Sequence, residues 1–112
     1  MKILITGGAG FVGSNLIKLL SKKKGNQIIV IDNFSNGSIT YLKGYNIKIY
    51  KGDVKNYNFL KKIFIKIDCV IHLAAGTSVV ESIKKPLSNF QENLIPTLNL
   101  LNLCKEKKVK KF

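Results

Sequence analysis

Eight residues near the start constrain this chain more than any others: Thr6, Gly7, Gly8, Ala9, Gly10, Phe11, Val12 and Gly13. They follow KILIT (residues 2–6), apolar at nearly every position, as a strand buried on both faces must be. They open a segment, Phe11 to Lys24, where Val12, Leu16, Leu19 and Leu20 recur at three- and four-residue spacing. That spacing predicts a helix with one apolar stripe, stopped by Gly25. Each glycine of the turn has a separate task. Gly7 lets the chain turn sharply out of the strand. Gly10 presents no side chain where a phosphate would approach the helix start. Gly13 lets the helix pack closely on the sheet. The helix start supplies unpaired N–H groups and the positive end of the helix dipole, so the turn is a candidate pyrophosphate cradle.

The rest of the chain supplies the context such a turn needs. QIIVID (27–32) reads as a second buried strand and NFSNGS (33–38) as turn chemistry. Ile47 to Tyr50 reads as a weaker third strand. Residues 56 to 66 read as a helix with Phe59, Leu60, Ile63 and Phe64 on one side. Cys69 to Ala74 reads as a fourth strand, and Pro86 to Lys107 as a helix with Leu94, Leu98, Leu100 and Leu101 as its apolar face. Pro96 lies inside that helix and cannot donate to the carbonyl of Glu92, which predicts a kink or local break. Strands alternating with helices define an α/β fold with a parallel sheet, and right-handed crossovers give the expected strand order 3-2-1-4. At 112 residues the chain holds one domain at most. No run of 18 apolar residues is present, which argues against a membrane-spanning helix.

The net charge of +13 comes entirely from lysine, since the chain contains no arginine. A nucleic-acid or anionic-membrane partner is one explanation. Phosphate and base recognition favours the planar fork of arginine, and no stacking aromatics interrupt the basic runs. Lys22 to Lys24, Lys61 and Lys62, and Lys105 to Lys111 all fall at helix ends, where cations suit the dipole. A solvated lysine-rich surface, with no nucleic-acid or membrane partner, is therefore the expectation. Cys69 and Cys104 lack metal-ligand spacing, so no metal site is expected, and His72 between aliphatic residues reads as a core histidine.

Asp32 closes the second strand, 19 residues after Gly13, near the spacing of about 20 expected for an acid that accepts hydrogen bonds from an adenosine ribose. A carboxylate there repels a 2′-phosphate, and no arginine compensates. The cofactor expected is NAD rather than NADP.

Five segments in order now carry a specific likeness. TGGAGFVGSNL, IDNFSNGS, GDV at Gly52 to Val54, VIHLAAGTSV at Val70 to Val79, and ESIKKPLSNFQENLIPTLNLL resemble the N-terminal part of the extended short-chain dehydrogenase/reductase family. Within it, the likeness is to NAD-dependent nucleotide-sugar epimerases and dehydratases, UDP-glucose 4-epimerases above all. The resemblance implies a Rossmann-type domain that stops short of its fifth strand, with no substrate domain. It implies cofactor-binding roles for Gly7, Gly10 and Gly13, with Phe11 and Val12 under the pyrophosphate. Asp32 and Asn33 would hold the ribose, bordered by Phe34, Ser35, Asn36 and Gly37. Asp53 and Val54 would flank the adenine, Asp53 through its exocyclic amine. Leu73, Ala74, Ala75, Gly76 and Thr77 would form the floor and wall of the nicotinamide half. Asn93 resembles a helix asparagine on the cofactor side; a polar residue on a solvated face is the other explanation. Pro96 departs from the family, where glycine is common.

The family's catalytic Ser/Thr and Tyr-x-x-x-Lys pair lie after the fifth strand, and the chain ends where that strand would begin. Tyr57 to Lys61 has the Tyr-x-x-x-Lys spacing but falls on the helix after the third strand, remote from the nicotinamide. The resemblance thus implies no catalytic residues here and an inactive chain on its own. It implies a cytoplasmic, homodimeric complete enzyme that takes a nucleotide sugar. A non-catalytic dinucleotide-binding sensor or scaffold of the same fold is the alternative.

Overall fold

A computed structural model describes all residues from Met1 to Phe112. The order is β1 (Lys2–Thr6), α1 (Phe11–Leu20), β2 (Gln27–Asp32), a 3₁₀ turn (Ile39–Leu42), β3 (Ile47–Lys51), α2 (Tyr57–Ile63), β4 (Cys69–His72), α3 (Val79–Lys84) and α4 (Pro86–Glu106). All four strands are parallel and lie in the order β3-β2-β1-β4, the topology expected of a Rossmann-type sheet.

The period of two along a strand divides the core. Ile3 and Ile5 of β1 and Ile28 and Val30 of β2 pack with Ala9, Ile17 of α1 and Leu42 on one face. Leu4, Ile29, Ile31 and Val70 pack on the other with Leu60, Ile63 and Phe64 of the α2 region and Leu100, Leu103 and Cys104 of α4. A near-continuous aliphatic run in sequence is therefore two alternating sets in space. Fully burying each such side chain contributes roughly 1.5–3 kcal/mol.

Several boundaries and faces differ from expectation. α1 ends at Leu20 rather than Lys24, because the Asn26 side chain donates to the Leu20 carbonyl at 3.1 Å and the three lysines form turns instead. Its inward face is Gly13 and Ile17, whereas Val12 and Leu19 are exposed. α2 ends at Ile63 rather than residue 66. A left-handed Lys66 (φ 52°) bends the chain so that Phe64 and Ile67 both turn inward. β4 stops at His72 rather than Ala74: the Leu73 N–H is shared between the Thr6 carbonyl at 3.1 Å and the Thr6 hydroxyl at 3.2 Å, and the Ala74 N–H turns to that hydroxyl at 3.3 Å. On α4, Leu100, Leu103, Cys104 and Pro96 are buried, while Leu94, Leu98 and Leu101 are exposed. The break at Pro96 does not occur, and one helix runs from Pro86 to Glu106. Pro96 is itself buried, and the carbonyl it leaves unpaired belongs to exposed Glu92, where water can reach it. The short helix α3 and the 3₁₀ turn were not expected. At the outer edge of β4, the Val70 N–H donates to the Lys111 carbonyl at 2.9 Å. No helix is long and apolar enough to cross a membrane.

Candidate dinucleotide site

A cleft of about 480 Å³ opens where the carboxyl ends of the strands meet the glycine turn. Its walls come from four separated segments. The turn and the start of α1 give Gly7, Gly10, Phe11, Val12 and Gly13; the end of β2 and its loop give Ile31, Asp32, Asn33, Ser35, Asn36 and Gly37; the loop after β3 gives Gly52, Asp53, Val54 and Lys55; the loop after β4 gives Leu73, Ala74, Ala75, Gly76 and Thr77. Glu92 of α4 completes the rim. In open α/β sheets, ligands bind at this crevice beyond the strand ends, where the strand order reverses.

The turn shows which glycines serve the fold and which face the cleft. Gly7 is left-handed (φ 69°), and a Cβ on it would lie 2.6 Å from the Ala74 nitrogen. A Cβ on Gly13 would run into the Gly7 carbonyl and the Gly8 backbone. Gly10 is different: a Cβ there would meet only the Gly7 oxygen, at 3.4 Å, an ordinary contact. The chain itself does not demand glycine at position 10. Gly10 is also the N-cap of α1, with no side-chain cap and no acid in the first turn. The amides of Phe11, Val12 and Gly13 therefore find no acceptor in the chain, and Phe11 and Val12 are exposed beside the cleft.

Asp32 ties the site together. It is only 8% exposed, and both carboxylate oxygens accept backbone hydrogen bonds at 2.8 Å, Oδ2 from Ala9 and Oδ1 from Phe34. The second lone pair of each oxygen remains for a ligand hydroxyl. Holding these two amides clamps the glycine turn to the loop after β2. Gly37 packs against the Ala9 backbone, and the Ser38 N–H donates to the Ala9 carbonyl at 3.1 Å. Phe34, in the left-handed region (φ 60°), packs against the α1-side core and does not line the cleft.

The opposite walls are also pinned. Asp53 accepts the Lys55 N–H at 2.8 Å, and Lys55 Nζ lies 3.5 Å from the Asp53 carboxylate and 3.9 Å from Glu92. Lys55 is the one lysine lining the cleft, beside the carboxylates of Asp32, Asp53 and Glu92, so the chain's excess cations lie elsewhere. Asn93 is neither in the cleft nor idle on the surface. Its side-chain oxygen accepts the Gly76 N–H at 2.7 Å and its amide donates to the Gly76 carbonyl at 3.2 Å. It thus fixes the loop that carries Gly76 and Thr77.

Thr6 and His72 support the floor. The Thr6 hydroxyl oxygen already accepts from Leu73 and Ala74, so its proton goes to His72 Nδ1, 2.6 Å away. That assigns the His72 proton to Nε2. Burial holds the imidazole below its ordinary pKa of 6.5. The unfolded chain then binds this proton more readily than the folded one. Stability from His72 is complete above about pH 6.5 and is lost as pH falls from there through the lower folded-state value. Melting temperatures between pH 7.5 and 5 should fall for the native chain and fall less for His72→Asn. Parallel curves would refute the assignment.

Tyr57 is not a second catalytic pair with Lys61. Its hydroxyl donates to Glu106 at 3.2 Å, and desolvation with that carboxylate raises its pKa, the opposite of what a tyrosine base needs. The residues that sequence reasoning missed are Ile31, Gly52, Lys55 and Glu92 in the cleft, with Thr6 behind it. Ile31, Gly52 and Glu92 fall inside segments that carry the family likeness but were given no role there, whereas Lys55 only adjoins the Gly52–Val54 segment.

A parallel 3-2-1-4 sheet with an uncapped glycine turn and a buried acid at the end of β2 defines a Rossmann-type dinucleotide-binding class. Residues 4–112 match the family model described as GDP-mannose 4,6 dehydratase, and the chain belongs to that family. It is 46% identical to a dTDP-D-glucose 4,6-dehydratase of Dictyostelium discoideum, over 99% of this chain and 27% of that protein. It is 41% identical to a UDP-glucose 4-epimerase of Halalkalibacterium halodurans, over 100% of this chain and 33% of that protein. The UDP-glucose 4-epimerase of Thermotoga maritima, solved with UDP-glucose, superposes with a TM-score of 0.93 at 37% identity, covering 100% of this chain and 36% of that one. That of Thermus thermophilus, solved with NAD, gives 0.89 at 32% identity, covering 97% and 35%. The chain thus spans about a third of the length of these relatives.

Proposed function

We propose that the chain is the NAD-binding portion of a nucleotide-sugar epimerase or dehydratase that works at sugar C4, in the manner of UDP-glucose 4-epimerase. The observation that carries this is the pairing, in one cleft, of the open Gly10 position beside free helix amides with the Asp32 carboxylate. Such a cradle fits a pyrophosphate and its adjoining ribose. The amides of Phe11 and Val12 would take the pyrophosphate, Asp32 and Asn33 the ribose, and Asp53 and Val54 the adenine. Leu73 to Thr77 would lie beneath the nicotinamide, where the small side chains of Ala74 and Ala75 permit close approach. NAD, when bound, supplies a hydride acceptor and donor. The acid/base groups and the nucleotide-sugar site belong to the complete enzyme, a homodimer in this proposal.

Calorimetric titration with NAD and NADP tests the cofactor assignment. A charged hydrogen bond contributes about 1.5–3 kcal/mol, so loss of the Asp32–ribose contact and repulsion of a 2′-phosphate predict at least a roughly tenfold preference for NAD. Equal or tighter NADP binding would refute it.

A further inference from the structure

The cofactor assignment above leaves open what holds the adenine-side wall in place. We propose that Asn99 of α4, which lies outside the cleft, is a positioning residue for Asp53 to Lys55 and thereby sets adenine recognition. Its side-chain amide donates to the Lys55 carbonyl at 2.9 Å and the Val54 carbonyl at 3.4 Å. Both acceptors are backbone atoms, so the contact fixes the path of the chain. The ladder ends where the Gly52 N–H meets the Asp32 carbonyl. From residue 53 to 55, the bonds from Asn99 are the only hydrogen bonds to another element. Asp53 follows because its carboxylate is folded onto the Lys55 N–H at 2.8 Å. The Lys55–Glu92 pair spans the same two elements but is exposed and 3.9 Å long, and such pairs contribute little. Asn99 itself sits on firm ground: Leu100, Leu103 and Cys104 anchor that part of α4 in the core. With Asn93 holding Gly76 on the other rim, one helix sets both sides of the cleft.

The test compares NAD with its hypoxanthine analogue, which carries a carbonyl in place of the exocyclic amine that Asp53 would accept. Native protein should favour NAD. Asn99→Ala and the isosteric Asn99→Asp, which faces two carbonyls with an oxygen, should weaken NAD about tenfold and the analogue much less, so the preference collapses. Amide exchange at Lys55 and Asn56 should rise in both variants, while the Gly76 amide stays protected. Equal weakening of both ligands, or unchanged NAD affinity, would overturn the proposal. If native protein binds neither dinucleotide, the cofactor assignment fails and the exchange data decide the positioning role alone; unchanged exchange at Lys55 and Asn56 then rejects it.

Discussion

Gly13→Ala is expected to unfold or severely destabilise the chain, whereas Gly10→Ala is expected to leave it folded and unable to hold a dinucleotide. The two sites are three residues apart in one turn, yet the atoms around them differ. The new methyl at position 13 would overlap the Gly7 carbonyl and the Gly8 backbone, neither of which can swing aside as a side chain would. Overpacking of this kind costs about 1–3 kcal/mol, occasionally more, and the clash here sets the first turn of α1 against the backbone of the glycine turn before it. For a domain of this size, that corresponds to a fall in Tm of roughly 5–20 °C. At position 10 the backbone is extended (φ −77°, ψ 176°), which alanine adopts freely, and at this cleft-lining position a methyl would meet only the Gly7 oxygen. The cost to the fold is then about that of a poorer N-cap, roughly 1 kcal/mol or less. The same methyl would stand where the phosphates approach the helix amides, with an expected loss of about 10–100-fold in NAD affinity. Thermal melts and calorimetry on both variants separate these effects. Retained NAD affinity in Gly10→Ala would remove the pyrophosphate cradle from the proposal.

The same contrast explains what the sequence could and could not show. The turn, the strand starts and Asp32 were legible because their signals are local: a glycine spacing, short aliphatic runs, an acid at a strand end. The inward face of α1 was not, because Val12 and Leu19 are apolar yet lie on the cleft side and the outside of the helix. Leu94, Leu98 and Leu101 of α4 misled in the same way, since hydrophobicity marks a face only when something covers it. The helix survived Pro96 because the core residues after it, Leu100, Leu103 and Cys104, anchor the segment and the released carbonyl is at the surface. Within the site, the residues that line the cleft sit on recognisable motifs. Those that position them do not: Asn93 meets Gly76 across 17 residues, and Asn99 meets Lys55 across 44. An asparagine on a helix carries no local sign of its partner. The parts of the cleft that depend on long-range amide contacts were therefore visible only in three dimensions.

Asp32→Asn joins both themes, because Asp32 is at once a structural clamp and a proposed ligand group. The carboxylate accepts two N–H groups, one on each oxygen, at equal 2.8 Å distances. An amide of the same shape has one oxygen and one NH2 group, so whichever way it turns, a donor faces a donor. If the loss falls on Ala9, which is fully buried, an unsatisfied amide costs about 1–3 kcal/mol. The turn that shapes the phosphate cradle loosens from β2 as a result. The variant also loses an acceptor for the ribose hydroxyls and the negative charge that repels a 2′-phosphate. NAD affinity should fall by about 10–100-fold, while NADP affinity should fall less, so selectivity narrows even as both bind more weakly. That narrowing is the decisive readout, since loosening of the turn alone weakens both cofactors together and leaves their ratio where it was. A variant that melts lower but keeps the native NAD-to-NADP ratio would confine Asp32 to the clamp and move cofactor discrimination elsewhere in the cleft.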